Sequence, residues 1–143
     1  LAKFNPILVG TIPINIDTNT SDLDIICYWV NKLEFTSTLK SSFCNEIDFS
    51  ITEKIKNSRE VVVAKFMLEE FPVEVYGQNL PTIEQNGYRH MIVEHKLLLE
   101  RGEAFRLQIV RLKKQGYKTE PAFAKLLGLN SENPFDELLK LNI

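Results

Sequence analysis

Asp22-Leu23-Asp24 stands directly in front of the apolar run Ile25-Ile26-Cys27-Tyr28-Trp29. A short, continuous apolar run of this kind reads as a buried strand, here Leu23 to Val30. In a strand, residues i and i+2 point to the same side, about 6.6 Å apart along the chain. Two carboxylates so placed repel each other unless positive charge lies between them. A bare Asp-x-Asp is also a common turn cap, so the pair alone does not define a site. A divalent cation fits it, because Mg²⁺ takes hard oxygen ligands and keeps other positions for water and phosphate. Upstream, Gly10-Thr11 ends a short apolar strand read over Phe4 to Val9. Glycine lets a backbone come close to a phosphate, and neighbouring N–H groups and a hydroxyl can bind its oxygens. A phosphate-binding turn beside a carboxylate pair is minimum equipment for phosphoryl or nucleotidyl transfer.

The rest of the chain predicts a mixed α+β fold. "DTNTS" at 17–21 is turn-rich, and residues 31–43 read as a helix with a weak Leu33/Leu39/Phe43 stripe. "DFSITEKI" at 48–55 alternates as a half-buried strand does. "EVVVAKFML" (60–68) and "FPVEVYG" (71–77), split by Glu69-Glu70, predict a hairpin. After Pro81 helical spacing takes over. Tyr88–Arg101 presents Tyr88, Met91, Ile92, Leu98 and Leu99 on one face, and Glu103–Lys114 presents Phe105, Ile109 and Leu112. Gly116 stops that helix, Thr119 caps another that ends at Gly128, and Asn133-Pro134 opens a last one. Strands crowd the first half and helices the second, which predicts a mixed sheet with helices packed on it. At 143 residues one domain is expected, a strand-rich core over 1–80 and a helical part over 81–143.

The spacing of these motifs resembles the polymerase-beta-type nucleotidyltransferase superfamily. Those enzymes carry Gly-Ser, ten further residues, then Asp-x-Asp preceded by Ser. Here Gly10-Thr11 is followed by ten residues, Ile12 to Ser21, and then Asp22-Leu23-Asp24. The resemblance implies that Asp22 and Asp24 hold Mg²⁺ or Mn²⁺. It implies that Glu74, between Val73 and Val75, is a third carboxylate that helps hold one metal and activates the attacking hydroxyl. Gly10, Thr11 and Ser21 are implied to hold nucleotide phosphates. "GTIPI", "SDLDIIC", "VEVYGQ", "QNGYRHMIVE", "RLKKQGYKTEPAFAKLLGL" and "NPFDELL" together look like a bacterial family of unknown function related to that superfamily. Thr11 keeps the hydroxyl of the usual Ser, but Asn15 stands where a second Gly is common and Ile14 where a basic residue is common. The reaction implied is transfer of a nucleoside monophosphate from a nucleoside triphosphate to a hydroxyl acceptor. The alternative is a catalytically inactive nucleotide-binding or interaction module, such as a toxin–antitoxin-type partner.

Other residues extend the reading. His90 and Glu94 share a helix face, expected to be a polar stripe opposite the apolar one. With Arg89 they form a candidate second wall of the cleft, against the plain reading of a surface ion pair. His95 is expected in the core. Lys118, before a helix N-terminus, is a candidate anion contact, with a solvated lysine as the plain reading. Gln78, Gln85 and Asn86 are candidate contacts to a base or sugar.

The net charge of −2 hides an asymmetry: residues 1–88 carry 7 basic and 12 acidic side chains, residues 89–143 carry 10 and 7. No RNA-binding module or basic patch interleaved with aromatics is visible, so a small molecule or protein is the expected acceptor ahead of RNA, and DNA is not expected. No apolar run approaches the roughly 18–20 residues that span a bilayer, so no membrane is expected. Leu1–Val9, broken by Lys3, Asn5 and Pro6, does not read as a secretory signal, and a cytoplasmic location with Cys27 and Cys44 reduced and buried is expected. The chain opens on Leu1 rather than Met, so further residues are expected before it.

Overall fold

The computed structural model describes residues 1–129 and 132–141. A short 3₁₀ turn (Ala2–Phe4) leads into β1 (Ile7–Val9), followed by β2 (Leu23–Tyr28), α1 (Lys32–Phe43), β3 (Ile47–Lys56), β4 (Arg59–Leu68) and β5 (Phe71–Gln78). A second 3₁₀ turn (Thr82–Glu84) precedes α2 (Asn86–Arg101), α3 (Glu103–Lys114), α4 (Thr119–Leu127) and α5 (Pro134–Leu139). The five strands form one mixed sheet in the order β1-β2-β5-β4-β3, so the fold is α+β as the sequence predicts. Only β2 and β5 run parallel; the other neighbours are antiparallel. Among the described residues, no helix is long and apolar enough to cross a membrane.

The chain packs as two compact units, Leu1–Gly10 with Ser21–Tyr88, and Thr11–Thr20 with Arg89–Ile143.

The first unit holds the sheet. Its strands end where local chemistry dictates. Asn5 has a left-handed φ of 48° and Pro6 lacks an N–H, so β1 starts at Ile7 rather than Phe4. β2 stops at Tyr28 because Asn31 already caps α1, its side chain accepting from the Glu34 N–H at 3.1 Å. The apolar face of α1 is Phe35 and Leu39, one turn apart and fully buried, whereas Leu33 is 78% exposed. Phe35 meets Phe4 edge-on at 5.0 Å between centroids. Val61 to Ala64 of β4 are all buried, which explains their unbroken apolar run. β3, at the sheet's edge, keeps only its Phe49/Ile51 side partly buried, and Ile47 and Ile55 are exposed. The expected hairpin is present, with Leu68 opposite Phe71 across the Glu69-Glu70 turn. Gln85 is buried, its amide donating to the Cys27 and Leu80 carbonyls at 2.9 and 2.8 Å. Gln85 thus acts as a structural strut between the end of β2 and the loop after β5. Both thiols are free; Cys27 is buried as expected and Cys44 is exposed.

The second unit is helical. Phe105 and Ile109 of α3 are buried, and Phe105 meets the Phe123 ring of α4 at 5.8 Å. Gly116 and Gly128 take the positive φ that ends α3 and α4, and Pro134 opens α5 after Asn133. Lys118, not Thr119, occupies the N-cap of α4. The 11–20 segment is anchored by Ile14 and Ile16, both buried. Arg106 donates to the Asn15 carbonyl at 3.0 Å and Lys113 to the Ile16 carbonyl at 2.8 Å. α2 buries His90, Met91, Glu94, Leu97 and Leu98, so the face expected to be a solvent-facing polar stripe lies inside. His95, expected in the core, is exposed. The apolar stripe of α2 is narrow, and burial follows the 90/94/97/98 line.

Gly77 tests this packing. A Cβ there would overlap Cε2 and Cζ of Phe35, which is fully buried. Gly77→Ala is expected to lower stability by about 1–3 kcal/mol, the usual range for overpacking. Urea denaturation followed by Trp29 fluorescence reads this, and an unchanged midpoint would show that the Phe35 ring gives way.

Candidate metal centre

Two adjacent strands place the carboxylates. The parallel β2–β5 ladder pairs Asp24 directly with Glu74, both on one face of the sheet. Asp22 lies just ahead of β2 and on the same side by the period of two. As a result Asp22, Asp24 and Glu74 each offer an oxygen within 4.8 Å of the others. Cross-strand neighbours complete the row. Val9 of β1 pairs with Asp24, so Gly10 follows at the strand's end. Gly10 has φ +84°, and a Cβ on it would lie 2.8 Å from Asp24 Oδ2. Only glycine allows this backbone to pass the carboxylate so closely. On the other side, Lys65 of β4 pairs with Glu74, its Nζ 3.8 Å from Glu74 Oε2. A cleft of about 130 Å³ opens beside these groups, lined by Asp22, Asp48, Lys65, Glu74, Phe66 and Val73 among others. A larger hollow of about 220 Å³, between Trp29, Arg59, Glu60 and Asn79, contains none of the three carboxylates. The cleft beside the carboxylates is the chemically relevant one.

The electrostatics reflect the crowding. The Asp24 carboxyl is pushed up to about 6, first by burial, then by the charges of Glu74 and Asp22, with Lys65 pulling it back. Its ionised form is therefore costly without a cation. Three hard oxygen donors around one point, held by two strands, match what Mg²⁺ or Mn²⁺ requires, with room left for water and phosphate.

The other sequence candidates divide between the units. Gly10 and Ser21 belong to the first, with the carboxylates. Thr11, Arg89, His90, Glu94 and Lys118 belong to the second. Thr11 opens a turn in which its carbonyl accepts from the Ile16 N–H at 3.1 Å. His90 is buried, with Nε2 2.9 Å from the Phe135 carbonyl. Glu94 is 2% exposed and Oε1 has no partner. Its carboxyl is held well above the ordinary range by burial and by Glu120, against the opposing charge of Lys113. Arg89 and Lys118 are exposed. Lys65 was not among the sequence candidates; its signal was a single cation inside the apolar run of β4, set opposite Glu74 by the hairpin that turns at Glu69-Glu70.

Two pH effects follow, and their sign is the same. A carboxyl whose folded pKa is raised contributes stability at low pH and loses it as pH rises. For Asp24 the loss runs from the ordinary value of 3.8 through about 6. In chelator-treated protein, Asp24→Asn is expected to be more stable than wild type by about 1–2 kcal/mol at pH 7.5, with the gap closing towards pH 4. Thermal melts at both pH values measure it. For Glu94 the loss begins above its ordinary value of 4.5. Glu94→Gln should flatten the fall in melting temperature between pH 5 and 9, whereas an unchanged slope would mean that Glu94 titrates normally.

A sequence profile described as a domain of unknown function, DUF4269, matches residues 1–141. No curated protein matches the chain significantly. Among solved structures, the chain is similar to one from the "structure of GLD-2/RNP-8 complex", at 12% identity and a TM-score of 0.47, covering 94% of this chain and 47% of that one. It is likewise similar to one from the "polymerase core of TRAMP, a RNA surveillance complex", at 16% identity and a TM-score of 0.48, covering 93% of this chain and 40% of that one. The chain thus spans less than half the length of either. With the profile running along nearly all of it, the chain belongs to the DUF4269 family of domains of unknown function.

Proposed function

We propose that the chain is a metal-dependent nucleotidyltransferase that moves a nucleoside monophosphate from a nucleoside triphosphate to a hydroxyl acceptor. The observation that carries this reading is the meeting of Asp22, Asp24 and Glu74 within 4.8 Å beside the Gly10 close approach. The Gly10-Thr11 to Asp22-x-Asp24 spacing supports it independently of the geometry. In this reading Asp22, Asp24 and Glu74 hold Mg²⁺ or Mn²⁺, and Gly10, Thr11 and Ser21 bind phosphate oxygens. A bound divalent cation supplies charge neutralisation on the polyphosphate and orients it. Glu74 takes the proton of the acceptor hydroxyl, whose oxygen bonds to the α-phosphorus. The bond from that phosphorus to the bridging oxygen breaks, and pyrophosphate leaves with its electrons. A small molecule or a protein side chain is favoured as acceptor, in a protein working in the cytoplasm.

One observation favours the second reading, an inactive nucleotide-binding or interaction module. Ile14, at a position where a basic residue is common, is buried and offers no charge to a triphosphate. Asn15 points the other way. Its φ is 61°, the left-handed conformation in which glycine is easiest and asparagine next best. An asparagine there preserves the backbone path that the commoner glycine would take.

Titration calorimetry with Mn²⁺, alone and with nonhydrolysable ATP, GTP, CTP and UTP analogues, separates the readings. Wild type is expected to bind Mn²⁺ and at least one nucleotide in a metal-dependent way. Asp22→Asn/Asp24→Asn should reduce the Mn²⁺ affinity by at least tenfold, in line with the loss of two charged ligands. Absence of metal-dependent nucleotide binding in the wild type would end the enzyme reading.

A further inference from the structure

Lys65 stands in the same cross-strand row as the carboxylates. Asp24, Glu74 and Lys65 are successive partners across β2, β5 and β4, so their side chains rise from one face of the sheet. Lys65 Nζ is 3.8 Å from Glu74 Oε2, and Lys65 lines the cleft with Asp22 and Glu74. The pairing is loose for an ion pair, and the lysine side chain is 65% exposed. A solvated pair of that kind contributes little to stability. Nor is Lys65 needed to fill space, since its side chain leaves the packed part of β4 for solvent. A lysine ammonium on its flexible stem can turn through several ångströms without moving the backbone.

Resting on the metal-dependent reading above, we propose that Lys65 is an exchangeable counterion of the metal centre: it pairs with Glu74 while the cation is absent, and turns to the polyphosphate once the cation is bound. The charges support this order. Three carboxylates beside one ammonium form a strongly anionic site without a cation. A divalent ion takes over the carboxylate oxygens and repels the ammonium at the same time. The ammonium is then left at the cleft, where an anionic polyphosphate is its strongest available partner. Lys65 is a positioning residue in this scheme and makes no bond to the reacting atoms.

The proposal fixes two effects of opposite sign. Removing a cation some ångströms from a metal site raises metal affinity, by roughly threefold to tenfold at the effective dielectric of a protein surface. Removing a polyphosphate contact lowers anion affinity. In Lys65→Met, Mn²⁺ alone should therefore bind threefold to tenfold more tightly than in wild type. Inorganic tripolyphosphate in the presence of saturating Mn²⁺ should bind at least fivefold more weakly. Lys65→Arg keeps the charge and should restore both affinities to within about threefold of wild type, which a merely structural role for the stem would not require. Titration calorimetry reads both ligands, and melting curves confirm that each variant is folded. Unchanged Mn²⁺ affinity in Lys65→Met, or tripolyphosphate binding as tight as in wild type, overturns the exchange while leaving the metal-dependent reading intact. If the wild type shows no Mn²⁺ binding that depends on Asp22 and Asp24, both readings fall together.

Discussion

The parallel pairing of β2 with β5, in one register, is the constraint on which the rest of the first unit depends. Asp24 faces Glu74 only because Leu23 faces Val73 and Ile25 faces Val75. A slip of one residue would turn every β5 side chain to the other face. That slip is blocked by burial, since Val73 and Val75 belong to the core with Phe35, Leu39 and Cys27. The hydrophobic packing on one face of the sheet thus sets the charge geometry on the other. Gly77, two residues beyond Val75, gives the same strand room against Phe35. Packing and site are two faces of a single register.

Much of this was legible in the sequence. Strand runs and helix ends fell within a few residues of the observed limits because their signals are local: Pro134 at a helix start, Gly116 and Gly128 at helix ends, Glu69-Glu70 between two apolar runs. The Asp22/Asp24 pair was legible because strand period binds both to one side, whereas Glu74 was legible only through the resemblance to a superfamily that carries a third carboxylate on a later strand. What stayed hidden required tertiary knowledge. His90 and Glu94 look like a solvent stripe by polarity, yet they are buried because their face of α2 meets its own unit. The opposite error at His95 has the same origin. On α1, Leu33 was expected in the apolar stripe, yet it is exposed, and the buried ring is that of Phe35, set against Phe4 and Gly77. Lys65 was overlooked although the expected hairpin, turning at Glu69-Glu70, already sets it opposite Glu74.

The 11–20 segment shows how far a departure from a motif can be structural. Ile14 and Ile16 are core side chains, and the carbonyls of Asn15 and Ile16 are held by Arg106 and Lys113 of α3. Charge-assisted hydrogen bonds to backbone carbonyls fix a turn more firmly than neutral ones. A basic residue at position 14 would have to be buried without a partner, which is costly. Ile14 is therefore explained by its packing, and Asn15 by its backbone conformation.

Asp24 and Glu74 are far apart in the chain, and the strand that carries Glu74 is made after α1, β3 and β4. During synthesis the Asp-x-Asp segment leaves the ribosome long before its partner, and its two carboxylates are then ordinary solvated side chains. The trio exists only after the most non-local pairing in the sheet has closed, and such pairings are slow. Any ion held there is held by the folded state alone, so it acts as a ligand that draws the population towards that state. Were the site to hold a divalent cation as proposed, that ion's abundance would be one of the quantities that set how much of the chain stays folded.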